Sequence, residues 1–252
     1  MAPPFALPPP DFPLPAYVRR VESGLLMPRK AVLPGLYMPP GLMGGQGAIE
    51  LEYVVSLSDT NNRQTYTFSD VNIGTPAPGR LVIVGTTNIN AGANMNLVSG
   101  TIAGQPAAVH INPGGEWHPT GIMSLVVPAG STAPISVTFT AVSHNCTIFV
   151  WTLKNYKSVL PVSTGGLNRK TGVGSVSLNI PANGVAVYVF GQGETSASAT
   201  WSTATRRTHG LIEGHRYSAA DKYAETAIAN HTETVSTGVT SNGFGMSGAS
   251  WS

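Results

Sequence analysis

The segment HGLIEGH, residues 209–215, holds the residues whose types and spacing come closest to a reactive site. In an extended strand the side chains of His209, Glu213 and His215 would lie on one face. Two imidazoles and a carboxylate make a half-site for zinc or nickel, which the symmetry axis of a homo-oligomer would complete. The glycines within the segment favour a bent loop instead. The sequence therefore predicts that no metal is bound. If one were, His209, Glu213 and His215 would be its weak candidate ligands.

A second pairing of reactive types is His144 with Cys146, the only cysteine of the chain. Alternate residues of a strand share a face, so the pair invites comparison with a Cys–His nucleophile. The surrounding run AVSHNCTIFVWTL is typical of a core strand, however, and cysteine is among the most buried residue types. We therefore expect Cys146 and Trp151 to be core residues. A single cysteine also allows no internal disulfide.

Other catalytic motifs are missing from the sequence. It contains no phosphate-binding loop, nucleophile elbow, paired-carboxylate motif or CxxC pair. Asp and Glu together number 12, which is little material for a glycan hydrolase that needs two facing carboxylates. The sequence therefore predicts that the protein is not an enzyme and that it uses no cofactor.

Two further features favour binding over catalysis. Trp117, in the loop sequence GGEWHP, is the tryptophan best placed to stack on a host surface glycan. Arg206 and Arg207 are adjacent, and guanidinium groups suit the carboxylates of a protein partner. The net charge is only +2, so we expect no nucleic-acid partner. We also expect no membrane partner, because no run approaches the roughly 20 apolar residues of a membrane helix.

The elements that must position these residues are β-strands. Short runs rich in Val, Ile, Thr, Phe and Tyr, such as AIELEYVVSL (48–57) and VAVYVFG (185–191), are separated by turn sequences such as NPGG and PANG. This pattern predicts an all-β fold over residues 48–252, an antiparallel β-sandwich that is jelly-roll-like. The only helix that the sequence favours is SAADKYAETAIA (218–229), with Ser218 as its N-cap.

Residues 1–47 differ in composition and are predicted to form a separate arm. Eleven of the 20 prolines fall in residues 1–45. Proline cannot donate the hydrogen bonds of a helix or a central strand, so we expect an extended arm. A stiff strap with large apolar side chains can dock into grooves of a partner at a low cost in ordering entropy. The predicted partner-binding residues are Phe5, Leu7, Phe12, Leu14, Tyr17, Arg19, Arg20, Leu36 and Tyr37.

The low charge of the chain predicts self-association. Charged residues make up 10% of the sequence and hydrophobic residues 42%. The surface of a free monomer is normally much richer in charge, and a lone sandwich exposes unpaired edge strands. We therefore expect a symmetric homo-oligomer, with a trimer favoured.

The strand and turn sequences resemble those of a known class of proteins. The stretches TYTFSDVNIGTPAPGRLVIVG, AVYVFGQGETSASATWSTATRR and GMSGASWS are similar to small β-sandwich virion proteins of tailed bacteriophages that infect alphaproteobacteria. The resemblance covers roughly residues 50–252, and the Pro-rich arm matches no motif of that class. It implies a capsid decoration, neck or tail accessory protein, with other virion proteins as partners. It also implies that the protein joins the virion in the cytoplasm of the bacterial host.

Two other functions stay open at this point. A receptor- or glycan-binding module of a fibre or spike would need an exposed aromatic platform, such as Trp117, among polar neighbours. A glycan-processing enzyme would need two carboxylates on facing strands. The three functions therefore differ in what the loops and clefts of the sandwich should contain.

Overall fold

A computed structural model describes residues 47–90, 94–115, 118–169, 174–193, 198–238 and 243–252. Within these ranges the chain forms 16 β-strands and no helix. The first eight strands are β1 (Glu50–Asp59), β2 (Arg63–Asn72), β3 (Leu81–Asn90), β4 (Leu97–Ile102), β5 (Gln105–Pro106), β6 (Ala108–Ile111), β7 (Thr120–Val126) and β8 (Thr132–Lys154). The second eight are β9 (Ser163–Arg169), β10 (Gly174–Ile180), β11 (Gly184–Gln192), β12 (Thr200–Trp201), β13 (Thr205–Ile212), β14 (His215–Ala224), β15 (Ile228–Ser236) and β16 (Phe244–Trp251).

The first eight strands form one antiparallel sheet organised around β8, a strand of 23 residues. The first half of β8 pairs with β2 and β4, and its second half pairs with β1 and β3. Its pairing with β2 jumps from Thr138 to Ser143, and such an irregularity bends a strand. Side chains from both halves of β8 enter one hydrophobic cluster, with Ile135 from the first and Ile148 from the second. The sheet therefore folds over on itself and encloses the first core.

The last eight strands form a second sandwich. A five-stranded antiparallel sheet has the order β13-β14-β11-β16-β9, and a three-stranded sheet has the order β10-β15-β12. The core between them contains Tyr188, Phe190, Trp201 and Phe244. The prediction of an all-β antiparallel sandwich is therefore confirmed, and the described part of the chain holds two sandwiches.

The two sandwiches pack face to face across a third set of buried side chains, which we call the middle layer. Strands β3, β7 and β8 contribute to it from the first sandwich, and β11, β14 and β16 from the second. All nine residues of β11 are buried because both faces of the strand are covered. This accounts for the unbroken apolar run VAVYVFG, since alternation is expected only where one face meets water. The middle layer consists of Leu81, Ile83, Ile122, Phe149, Trp151, Leu153, Tyr156, Val185, Val187, Val189, Ala219, Ala249 and Trp251.

The predicted helix at residues 218–229 is wrong, because these residues belong to β14, a turn and β15. Ala219 packs into the middle layer and Ala220 into the second core, and both are fully buried. Their small side chains let β14 lie between two layers of side chains. Burial on both faces therefore overrides the helix propensity of alanine.

Gly85 sets the approach of the two sandwiches. A Cβ atom at this position would lie 2.3 Å from Val189 Cγ1 and 3.2 Å from Trp151 Cζ3. The contact with Val189 leaves no room for a methyl group without movement of the opposing sheet. The glycine is therefore required by packing, since its φ is not in the left-handed region.

The Gly85→Ala substitution should lower the free energy of unfolding by about 1–3 kcal/mol, as overpacking of a core does. Val189→Ala should also destabilise the protein by removing buried methyl groups. The double variant should lose less than the sum of the two, because the shortened Val189 makes space for the new methyl group. Equilibrium urea unfolding of the four proteins measures this cycle. Strictly additive losses would contradict a direct contact between the two positions.

Candidate functional site

Several residues predicted from the sequence to bind partners lie outside the described residues. The structure describes neither the arm positions nor Trp117. The anchoring arm and the glycan platform therefore stay predictions. The arm positions concerned are Phe5, Leu7, Phe12, Leu14, Tyr17, Arg19, Arg20, Leu36 and Tyr37.

The segment HGLIEGH forms a tight hairpin between β13 and β14. Ile212 pairs with His215, and the two residues between them, Glu213 and Gly214, have φ angles of 46° and 77°. Positive φ at both central residues is the geometry of a type I′ turn. The single strand face shared by His209, Glu213 and His215 therefore does not form. His209 is exposed on β13, whereas His215 is half-buried on β14.

His215 lies instead beside His118, which precedes β7 in the first sandwich. The two imidazole rings have centroids 5.1 Å apart and planes inclined by 47°. The pKa of His118 is lowered to about 3, mainly by burial and in part by the neighbouring His215, while a hydrogen bond to the Asn88 backbone opposes the shift. Burial also lowers the pKa of His215, against the attraction of the Glu213 carboxylate. Both rings are therefore neutral at pH 7.

Nothing in the sequence indicates this histidine pair. His118 lies in the loop sequence GGEWHP, in which only the tryptophan suggests a binding role. The two histidines meet because the two sandwiches pack on each other, and no local spacing records that contact. A small cavity of about 10 Å³ adjoins them, room for one water, with Thr87, Asn88 and Asn145 in its wall.

His144 and Cys146 do not form a reactive pair. The register between β3 and β8 passes from Asn145 to Ser143 over one step of β3, which makes His144 an extra, outward-facing residue. His144 Nδ1 contacts Asn62 Oδ1 at 3.1 Å. Cys146 is fully buried, and burial raises the pKa of its thiol well above the usual value. The predictions that Cys146 and Trp151 are core residues are confirmed.

Arg207 finds its carboxylate within the chain rather than on a partner. Arg207 Nε donates to Asp221 Oδ2 and Arg207 Nη2 donates to Asp221 Oδ1, both at 2.8 Å. Trp151 Nε1 donates a third hydrogen bond to Asp221 Oδ2 at 3.0 Å. The hydrogen bond to Asp221 raises the pKa of Arg207. The neighbouring Arg206 donates from Nη1 to the carbonyl of Ala199 at 2.7 Å.

An open groove of about 520 Å³ lies beside this ion pair. It runs between the beginning of β1 and strands β11, β13 and β14 of the second sandwich. Glu50 and Glu52 line one wall and Asp221 lines the other. A glycosidase would use one such carboxyl group as a proton donor. Asp221 instead accepts three hydrogen bonds, which hold the arginine and the indole in place.

Glu233 is the most completely buried carboxylate of the described residues, with no exposed surface. It accepts hydrogen bonds from the hydroxyl of Ser202, from the amide and hydroxyl of Thr203 and from the amide of Ala204. His231 Nε2 lies 3.2 Å from Glu233 Oε2. Burial alone raises the pKa of Glu233, but the hydrogen bonds outweigh it and hold the pKa below its usual value. The carboxylate therefore organises the turn at 202–204.

Arg80 is a buried cation used in the same way. It is fully buried and donates to the carbonyl oxygens of Val127, Gly74, Ala129 and Gly130 at 2.7–3.0 Å. Burial lowers the pKa of its guanidinium, which nevertheless stays charged. Four carbonyl groups thus take the place of a carboxylate partner. The guanidinium ties the segment before β3 to the loop between β7 and β8.

Two features are absent from the described residues. No group of three or more His, Cys, Asp or Glu side chains among them is arranged to hold a metal ion. That same part of the chain contains no helix long and apolar enough to cross a membrane.

Comparison of the sequence with models of known protein families and with curated proteins gave no match.

Glu233→Gln should lower the free energy of unfolding at pH 7 by about 2 kcal/mol, because hydrogen bonds to a charged group are replaced. The depressed pKa of Glu233 adds stability above the unfolded-state value of about 4.3, and this stability is lost as the pH falls through the folded-state pKa. The variant should therefore show a flatter loss of stability below about pH 4.3 than the parent protein. Urea unfolding across this pH range measures both effects.

The matched control is Glu225→Gln, the same change at an exposed glutamate. It should leave both the stability at pH 7 and its acid dependence unchanged. Equal effects of the two substitutions would contradict the assignment of the acid dependence to Glu233.

Proposed function

We propose that the chain is a structural protein of a bacteriophage virion. Its arm, residues 1–47, docks onto other virion proteins, and its β-sandwich module is displayed as a capsid decoration, neck or tail accessory protein. The observation that carries the proposal is the composition of the arm, in which prolines alternate with large apolar side chains. Such a segment cannot build a core of its own, so its side chains require the surface of a partner.

The described module supports a structural role because its buried charges serve the fold. Asp221, Glu233 and Arg80 are each saturated by hydrogen bonds from within the chain. A catalytic acid or base has to face a substrate and to exchange its proton. Glu233 and Arg80 have no exposed surface, and each of the three groups holds segments of the chain together.

The exposed edges of the module suit assembly with further copies of the chain. In the described part of the chain, β13 pairs only with β14 and therefore forms one edge of the five-stranded sheet. Leu211, on that edge strand, has 49% of its surface exposed. The loop after β8 exposes Leu160 and Val162 by 60% and 52%. Unpaired strand edges and exposed apolar side chains are typical of surfaces that a partner covers.

Removal of residues 1–46 should leave a folded module that no longer enters the virion. The described strands begin at Glu50, so the deletion removes none of the three clusters of buried side chains. Thermal unfolding should be unchanged, while incorporation into particles, measured by quantitative mass spectrometry of purified virions, should fall to background.

A full-length control separates the apolar side chains from the length of the arm. In this variant Phe5, Leu7, Phe12, Leu14 and Tyr17 are replaced by serine and the prolines are kept. It should fail to incorporate as the deletion does. Normal occupancy of either variant in the virion would show that the arm is not the anchor.

The purified full-length chain should form a symmetric homo-oligomer, with a trimer as the expected state, because its low charge and open edges favour self-association. Light scattering coupled to size exclusion measures the mass directly. Leu211→Lys, which places a charge on the exposed edge of β13, should weaken the oligomer. A stable monomer of the parent protein at high concentration would contradict the prediction.

A further inference from the structure

Two histidines meet at a point where the two sandwiches touch. His118 lies in the loop before β7 of the first sandwich and is 3% exposed. His215 begins β14 of the second sandwich and is half-buried. Their ring centroids are 5.1 Å apart. The two imidazoles therefore form a contact between the sandwiches in which both partners can gain a proton.

The hydrogen bonding of the pair suits neutral rings and not protonated ones. His215 Nδ1 is buried and has no hydrogen-bond partner. In a neutral imidazole one nitrogen is a bare lone pair, whereas in a protonated imidazole both nitrogens carry a hydrogen. Protonation of His215 would therefore bury an N–H group that has no acceptor, together with a positive charge.

The space beside the two rings offers no negative charge to a protonated imidazole. It measures about 10 Å³, room for one water, and no carboxylate lines it. Its polar lining includes Thr87, Asn88 and Asn145, and Arg216 lines it as well. A proton on either ring would therefore add a positive charge to a nearly dry space that an arginine already borders.

The charged groups on neighbouring elements do not compensate. The carboxylate of Glu213, in the turn before β14, raises the pKa of His215, while His144, at the bulge of β8, lowers it. Glu213 also accepts a 3.3 Å hydrogen bond from Asn145 Nδ2. It is the only carboxylate of the described residues that acts on either ring, and the effect of burial outweighs it.

We propose that His118 and His215 form an acid-sensitive latch between the two sandwiches, closed while both rings are neutral and opened when either ring is protonated. Opening separates the loop before β7 from the turn end of the β13–β14 hairpin. The middle layer stays packed, because its apolar side chains do not titrate. Opening also loosens the end of β13, the edge strand that carries Leu211. The latch belongs to the folded module and does not depend on the virion function.

The pH range of the latch follows from the difference between the closed and opened rings. Burial is the main cause that lowers the pKa of both, to about 3 for His118, whereas a solvated histidine has a pKa of about 6.5. The opened state therefore binds more protons between these values, and the latch loses stability as the pH falls below about 6.5. Between pH 7 and pH 5, His118 alone should favour opening by about 20-fold. Glu233 adds its own acid dependence only below about pH 4.3.

Hydrogen exchange of the full-length protein, measured by NMR and corrected for the intrinsic effect of pH, tests the latch. Between pH 7 and pH 5 the amides of residues 211–217 should lose protection by at least ten-fold. The amides of β16, in the middle layer, should keep theirs. In the double variant His118→Gln/His215→Gln, protection of the hairpin should no longer depend on pH in this range. His209→Gln, at the exposed histidine of the same hairpin, is the matched control and should keep the full response.

If the double variant does not fold, the single variant His215→Gln and the ring signals of the parent protein decide. His215→Gln should reduce the acid response, and in the parent protein the His118 ring should stay neutral for as long as the hairpin is closed. Unchanged hairpin protection in the parent protein at pH 5 would overturn the proposal, as would an acid response that His209→Gln abolishes. A loss of protection spread evenly over all strands would also overturn it, because that result indicates global acid unfolding.

Discussion

The close packing of the two sandwiches across the middle layer is the constraint on which the rest of the structure depends. It requires strands that are apolar on both faces, and β11 and β16 are buried along their whole length. It also requires a position without a side chain at the closest contact, and Gly85 meets Val189 there. The indole of Trp151 carries a polar atom into the layer, and its Nε1 donates to Asp221 across the layer. That hydrogen bond lets a tryptophan fill the layer without leaving a buried donor unsatisfied.

Both local sites follow from this packing. The groove beside Asp221 exists because β1, at the edge of the first sandwich, begins beside β14 of the second. The histidine pair exists because the loop before β7 reaches the turn end of β14. Neither site lies within one sandwich. A change that altered the packing of the middle layer would therefore move the groove walls and the two imidazoles together.

The sequence predicted the strands well because their composition is local information. The β-branched and aromatic residues of VAVYVFG predict a strand without reference to the rest of the chain. The burial of Cys146 and Trp151 follows from the apolar run around them. The errors arose where tertiary contacts decide. Alanines 219 and 220 read as helix formers until two neighbouring layers are seen to require small side chains. The bulge at His144 and the meeting of His118 with His215 depend on pairing between distant strands, which spacing along the chain does not encode.

The proposal that the chain is part of an assembly rests on its apolar arm and on a module in which Asp221, Glu233 and Arg80 are bound within the fold. Cryo-electron microscopy of virions from cells that express the chain in its native genomic setting is the most direct measurement of that claim. We expect the stacked sandwiches to fit repeated, symmetric density on the particle, with density running from residue 47 into a neighbouring virion protein. Complete particles that lack the chain, while the folded protein remains in the lysate, would contradict a structural role in the virion.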